Sequence, residues 1–299
     1  MAIPASQLET WCNQGATTTS SQIYTSIKTC LNAEASKIRT KDYEIYLQGS
    51  YANDTNIYGD SDVDIVVQLH TTWSQDLSAL TDEAKRLYNA SYESATYNWQ
   101  NFYNDVFETL NSYYGRSNVD ATGKVLKVNT GKSYEADVVV AIDYRKYKMF
   151  QNDAVNRYIE GMKFYLLNGD KRLVINFPKW HYNNGVAKNN AERTNGQYKS
   201  TIRMFKNIRN KLIENRQILD KTAPSYFLEC LLYNVPDGCY GYDVSQTFCD
   251  VINYLNKADL QKFICQNEQL DLFGTTPEQW QSLSAKSFIS ESIKLWNSW

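Results

Sequence analysis

The sequence predicts a mixed α/β (α+β) protein, with a lobe built on a mixed sheet and a mainly helical C-terminal lobe. Three observations carry this. Tyr43 to Leu47 and Val63 to Leu69 are short strand-forming runs, separated by Gly49-Ser50 and a polar spacer. Tyr134-Glu135-Ala136-Asp137-Val138-Val139-Val140-Ala141-Ile142 is a third, strongly apolar strand. From Gln197 the pattern turns helical, with Ile202, Phe205, Ile208 and Leu212 forming one apolar stripe. The expected division is 1–195 for the sheet lobe with an N-terminal helix, and 196–299 for the helical lobe.

Taken in order, Thr17 to Ser21 offers N-cap residues, and Ile23, Ile27, Cys30 or Leu31, and Ala35 recur at helical spacing. That predicts an early helix of about five turns. Thr81 caps a long helical region through Leu87, Ala95, Trp99, Phe102, Val106, Leu110 and Tyr113, ending before Gly115. Its aromatic residues read as core. Lys124 to Asn129 alternates polar and apolar, and Thr130-Gly131-Lys132 turns the chain into the apolar strand. Tyr158 to Leu167 and Leu173 to Phe177 flank Asn168-Gly169-Asp170, a hairpin signal.

Lys179 to Gly196 is rich in Asn and Gly and reads as a loop. It carries Trp180, His181, Tyr182 and Arg193, which either meet a nucleobase or simply belong to a surface connection. In the following helix Lys199, Arg203 and Lys206 fall at i, i+4 and i+7 beside the apolar stripe. Such a row is ordinarily solvated, yet basic residues outnumber acidic ones between Arg157 and Arg216, a segregation suited to a polyphosphate. Pro224 opens another helix with Ser225 and Tyr226 at its start and Phe227, Leu228, Leu231 and Leu232 as core. Ser225 is there either a cap or an anion contact, since helix N-termini favour anions. Cys239 to Leu255 and Phe263 to Phe273 give helical or irregular segments. Thr276-Pro277-Glu278-Gln279 is a capping box opening a last helix packed through Leu283, Phe288, Ile289, Ile293 and Trp296.

Composition narrows the class. A chain of 299 residues with net charge −2 has room for a large core and no dominant charged tail. No run of about 18 apolar residues predicts a transmembrane span. Met1 to Cys12 lacks the layout of a secretory signal, and the six cysteines are scattered without a C-x-x-C pair. A reduced, cytoplasmic chain is the expectation. The only histidines are His70 and His181, which argues against a Ser-His-Asp or Cys-His hydrolase and leaves the chemistry to carboxylates.

The carboxylates that stand out are Asp62 and Asp64, opening the second strand on one face, and Asp137, heading the third. A lone D-x-D pair is common and usually solvated. A calcium loop starting at Asp54 fails, because its fifth position is Tyr58 and its twelfth Ile65. A start at Asp60 puts Ile65 where glycine is required. Asp137 changes the balance, since an acid at the mouth of an apolar strand is poorly solvated unless a cation or donor meets it. Two carboxylates with a third beside them suit Mg²⁺, which takes oxygen ligands together with substrate phosphates. Gly49 permits close backbone approach, and turn amides with the Ser50 hydroxyl can donate to phosphate oxygens.

Gly49-Ser50, the spacer ending in Ser61-Asp62-Val63-Asp64, and Asp137 resemble the signature of polymerase beta-type nucleotidyltransferases. The fuller string from Gly49 to Ile65 is similar to bacterial CD-NTases, relatives of cyclic GMP-AMP synthase and oligoadenylate synthetase. The resemblance extends through Ala136 to Val140, Tyr144-Arg145-Lys146-Tyr147 and the basic helix after Gly196. It implies a polymerase beta-like lobe, an early helix bracing both lobes, an oligoadenylate synthetase-like helical lobe, and an active-site cleft between them. It implies two Mg²⁺ ions (Mn²⁺ as substitute) on Asp62, Asp64 and Asp137, the catalytic acids. It further implies nucleotide contacts from Gln48, Gly49, Ser50, Lys199, Lys206, Ser225 and Tyr226, with Tyr226 stacking on a base. Implied substrates are NTPs, ATP or GTP first and pyrimidines also admissible. The implied product is a cyclic di- or trinucleotide signalling in anti-phage defence, read by an effector that binds the product rather than this chain. A monomer with no membrane or nucleic-acid partner is the corresponding expectation. The scattered cysteines depart from the zinc-bearing animal branch, and Trp299 departs from members conjugated through a small C-terminal residue. Two other readings stay open: nucleotidyl transfer to an RNA, protein or small-molecule acceptor, and a catalytically silent nucleotide-binding regulator.

Overall fold

A computed structural model describes residues 2–59, 62–132, 135–167 and 172–299. Ser61, Tyr134 and Asn168-Gly169-Asp170, where the hairpin signal was read, fall outside them. The elements run α1 (Ala5–Cys12), α2 (Thr18–Asn32), β1 (Tyr43–Leu47), α3 (Gly49–Ala52), β2 (Val63–Asp76), α4 (Asp82–Ser91) and α5 (Trp99–Tyr114). Then come β3 (Val119–Asp120), β4 (Leu126–Asn129), β5 (Glu135–Asn152), β6 (Val155–Tyr165) and β7 (Leu173–Asn176). The rest is helical: α6 (Pro178–Lys188), α7 (Ala191–Thr194), α8 (Tyr198–Glu214), α9 (Ser225–Tyr233), α10 (Val244–Lys257) and α11 (Ser282–Asn297).

The chain forms two compact units that are discontinuous in sequence. The sheet unit comprises residues 17–48 and 61–178, and the helical unit residues 1–16, 49–60 and 179–299. The division expected after residue 195 falls inside the helical unit.

In the sheet unit the described strands order β1-β2-β5-β4-β3, with β6 on β5 and β7 on β6. β2 and β5 run parallel and the other pairs antiparallel, so the sheet is mixed. Strands covered on both faces read as continuous apolar runs. Val63, Ile65, Val66, Val67 and Leu69 on β2, and Ala136, Val138 to Ile142 on β5, are accordingly buried. α2 buries Ile23, Ile27, Cys30 and Leu31, with Thr17 at its N-cap position, and is shorter than expected at 15 residues.

The long helix expected after Thr81 is instead two helices, α4 and α5. Thr81 does cap α4, its side chain accepting from the Ala84 N–H. The break falls where Asn98 caps α5 through a reciprocal bond with Asn101, a signal the apolar spacing hid. Phe102, Val106 and Leu110 are core, whereas Leu87 and Tyr113 are exposed. Trp99 and Tyr103 are half-buried and stacked, their ring centroids 5.2 Å apart.

In the helical unit one cluster gathers the stripe of α8 (Ile202, Phe205, Ile208, Leu212) with Leu228, Leu231 and Leu232 of α9 and Phe248, Val251, Phe288 and Ile289. The expected loop from Lys179 to Gly196 is corrected to two helices, α6 and α7. Pro178 starts the first of them, where its missing N–H costs nothing, and Asn190 caps the second. The capping box is corrected too. Gln279 Oε1 accepts from the Thr276 N–H and hydroxyl, but these bonds close a turn, and the last helix begins only at Ser282. Leu283 is consequently exposed rather than packed.

Candidate active site

The sheet brings two of the three acids side by side. In the parallel register of β2 and β5, Asp64 lies opposite Asp137. Partners across a strand pair present side chains on one face, so both carboxylates share it. Asp62 stands exposed just before β2, and its charge is felt at Asp137. Burial raises the Asp137 pKa, Lys127 lowers it, and Asp62 and Glu135 raise it again, leaving the carboxyl above its ordinary value.

Lys127, facing Asp137 across the β4–β5 pair, puts Nζ 3.2 Å from Asp137 Oδ1 and 3.8 Å from Glu135 Oε2. That contact is an ion pair, and Asp137 Oδ1 is buried without a hydrogen bond. Gln48, at the end of β1, donates its N–H to the Asp64 carbonyl at 3.0 Å, and its side-chain Oε1 is also buried and unbonded. The donor set is therefore all oxygen, with two in-register carboxylates and two orphaned buried oxygens, which fits a hard divalent cation. Among the described residues no three His, Cys, Asp or Glu side chains are already gathered at metal-ligand spacing. Lys127 supplies the positive charge at Asp137, so a metal would have to displace it there.

The remaining predicted residues belong to the helical unit. Gly49 takes φ +68°, left-handed backbone that favours glycine, and begins the single turn of α3. The Asn53 N–H donates to Gly49 O and the Thr55 N–H to Ser50 O, fixing that turn with Ser50 half-buried. Lys199 reaches Asp54 Oδ2 at 2.8 Å, and its Nζ lies 5.7 Å from the Tyr182 ring centroid. Ser225 Oγ accepts from Arg209 Nη1 at 2.9 Å. Tyr226 stacks on His181 at 5.2 Å and 24°.

Lys206 requires a correction. Its ammonium is buried, not presented to a phosphate, and its three donors are all taken: Glu229 Oε1 at 2.8 Å, Thr55 O at 3.1 Å and Thr55 Oγ1 at 3.1 Å. Glu229 is the residue that sequence reading missed. Its Oε1 also accepts from Thr55 Oγ1 (2.6 Å), and its Oε2 accepts from His181 Nε2 (2.9 Å) and Asn53 Nδ2 (3.1 Å). Burial alone would raise its pKa, but Lys206 and His181 outweigh burial and hold the carboxylate far below the usual range. The available signal was an acid inside Leu228-Glu229-Cys230-Leu231-Leu232, where only a buried cation makes a charge tolerable.

Known proteins match both halves of this arrangement. A nucleotidyltransferase domain model matches residues 27–160, and a model of the cGAS/DncV-like nucleotidyltransferase C-terminal helical domain matches residues 183–297. The cyclic UMP-AMP synthase of Rhodothermus marinus is 50% identical over 299 residues, covering 100% of this chain and 99% of the relative. The chain belongs to the cGAS/DncV-like nucleotidyltransferases. Cyclic nucleotide synthase CdnE01 of Staphylococcus haemolyticus is 45% identical, covering 100% of each chain. The solved R. marinus CdnE c-UMP-AMP synthase with Apcpp and Upnpp superposes with TM-score 0.90, covering 99% of this chain and 97% of that one. An Elizabethkingia meningoseptica CdnE cyclic dinucleotide synthase with GTP and Apcpp gives TM-score 0.75 at 26% identity, covering 99% and 100%. As a member of this family, the chain is a nucleotidyltransferase. Among its described residues no helix is long and apolar enough to cross a membrane.

Proposed function

We propose that this nucleotidyltransferase condenses two NTPs into a cyclic dinucleotide, a second messenger for anti-phage (CBASS) signalling. The observation that carries the reading is the register of Asp64 with Asp137, at the mouths of two parallel strands, in a chain half identical to a cyclic UMP-AMP synthase over its full length. That relative favours ATP and UTP as the first substrates to try.

Asp62, Asp64 and Asp137 would hold the divalent cations, Mg²⁺ or Mn²⁺. When bound, such ions neutralise charge on the reacting phosphate and lower the pKa of the attacking hydroxyl. A ribose hydroxyl attacks the α-phosphorus of an NTP, a P–O bond forms, pyrophosphate leaves, and the hydroxyl proton is released. Repeating the step within the linear intermediate closes the ring. The chain's own contribution is positioning: Gly49, Ser50 and Gln48 at the triphosphate, Ser225 and Lys199 as phosphate contacts, and Tyr226 under a base. No nucleophilic side chain is needed. Lys206 leaves this set and becomes the internal counter-ion of Glu229.

The test is incubation with ATP, UTP, GTP and CTP in pairs with MgCl₂, followed by phosphatase treatment and mass spectrometry. A phosphatase-resistant cyclic dinucleotide, lost on chelation with EDTA, is the expected result. Linear products only, or nucleotide attached to an added acceptor, would replace the cyclase reading with that of a general nucleotidyltransferase.

A further inference from the structure

His181 is held from three directions. Its carbonyl accepts from Gln266 Nε2 at 2.7 Å, and Gln266 is itself fixed by the Tyr198 hydroxyl at 2.5 Å. Its ring Nε2 donates to Glu229 Oε2, an assignment that follows because an ionised carboxylate only accepts. One face of the ring lies along Tyr226, nearly parallel to it. Tyr226 is pinned in turn at its edges: Asn267 Nδ2 meets its hydroxyl at 3.3 Å, and Phe227 packs against it at 68°.

The ring of His181 gives up something for this orientation, because its Nδ1 is buried with no hydrogen-bond partner. A side chain serving only to satisfy Glu229 would not need a flat ring, and a flat ring serving only to fill space would not need the bond. Glu229 also binds Asn53 and Thr55, which directly follow the Gly49-Ser50 turn. One buried carboxylate therefore fixes both the segment assigned to the triphosphate and the ring backing the tyrosine assigned to the base.

We propose that His181 is a positioning residue for nucleobase binding: its flat ring backs one face of Tyr226 and, by that stack, sets the plane of the tyrosine for a base stacking on the opposite face. This rests on the reading of Tyr226 as the stacking residue. His181 itself touches no substrate.

Two substitutions separate the stacking role from the hydrogen-bonding role. His181→Phe keeps a flat ring and loses the bond to Glu229, while His181→Gln keeps an N–H donor and loses the stack. Equilibrium binding of the non-reactive analogue Apcpp with Mg²⁺, at a temperature where melting curves show all variants folded, is the readout. His181→Phe is expected to bind within about threefold of the unsubstituted protein and His181→Gln about tenfold more weakly, a difference equal to roughly 1.4 kcal/mol. If His181→Gln binds as tightly as the unsubstituted protein, or His181→Phe no better than His181→Gln, the proposal is overturned and His181 is only a member of the buried network. Tyr226→Ala runs alongside. Unchanged Apcpp affinity in that variant removes the stacking role of Tyr226 itself, whereas weakened affinity there with tight binding by His181→Gln removes only the role given to His181.

Discussion

Glu229 in the helical unit and Asp137 on the sheet are both acids set among apolar residues, and their surroundings act on them in opposite directions. Glu229 meets a donor on each of four sides, the Lys206 ammonium among them, and its pKa falls. The Asp137 pKa is raised first by burial, which one lysine only partly offsets and the nearby Asp62 and Glu135 reinforce. A carboxylate fully answered by its own chain holds the fold. A carboxylate buried without enough donors, with other carboxylates nearby, is costly to keep and suits a cation from solution. The two histidines follow the same logic of satisfied pairs, His70 Nδ1 lying 2.9 Å from buried Asp143 and His181 Nε2 lying 2.9 Å from Glu229.

The largest effect that would sharpen this contrast is on turnover. Asp62→Asn combined with Asp64→Asn should lower product formation by about a thousandfold or more while the melting temperature holds within a few degrees. Substantial residual synthesis by mass spectrometry would break the catalytic side. Next comes stability: Lys206→Met leaves Glu229 buried without its main cation and should cost about 3–5 kcal/mol in denaturant unfolding. A loss of nucleotide affinity with unchanged stability would instead return Lys206 to the phosphate contacts.

The two acids also predict opposite responses to pH. Glu229 has its folded pKa below the unfolded one, so its contribution is fully present above about pH 4.5 and fades as pH falls through the acid range. The stability gap between the unsubstituted protein and Glu229→Gln should therefore narrow below that pH. Asp137 has its folded pKa above the unfolded one, so its ionised form is a liability at neutral pH that protonation relieves. Asp137→Asn should be at least as stable as the unsubstituted protein at pH 7, an advantage that closes in acid. The smallest expected effect concerns Lys127. Lys127→Gln removes the resident positive charge beside Asp137 and should tighten Mn²⁺ binding about fivefold by calorimetry, the scale of one solvent-screened charge. Unchanged or weaker Mn²⁺ binding would show that Lys127 does not compete for the site.

The sheet was readable because its two central strands are buried on both faces and announce themselves as Val63 to Leu69 and Ala136 to Ile142. The stripe of α8 was readable for the corresponding reason at helical period. What escaped was governed by polar side chains acting at a distance. Asn98 with Asn101 ends the connection before α5, and Pro178 and Asn190 make helices of a stretch whose Asn and Gly content suggested a loop. Lys206 lay one position beyond Phe205 of the stripe, and the choice between facing water and facing inward depended on Glu229, 23 residues away in the chain. No local pattern records that pairing. In the candidate site, the spacing of Asp62, Asp64 and Asp137 was visible, but Lys127 and the Glu229 network needed coordinates.

The most direct test sets Asp137→Asn against Glu229→Gln, each measured for cyclic product from ATP and UTP with Mg²⁺ and for thermal unfolding. Asp137→Asn should make no product and melt at or above the unsubstituted protein, while Glu229→Gln should melt lower and, at temperatures where it stays folded, still form product but need more nucleotide to do so. Product from Asp137→Asn at the unsubstituted rate would contradict the assignment of chemistry to the sheet acids.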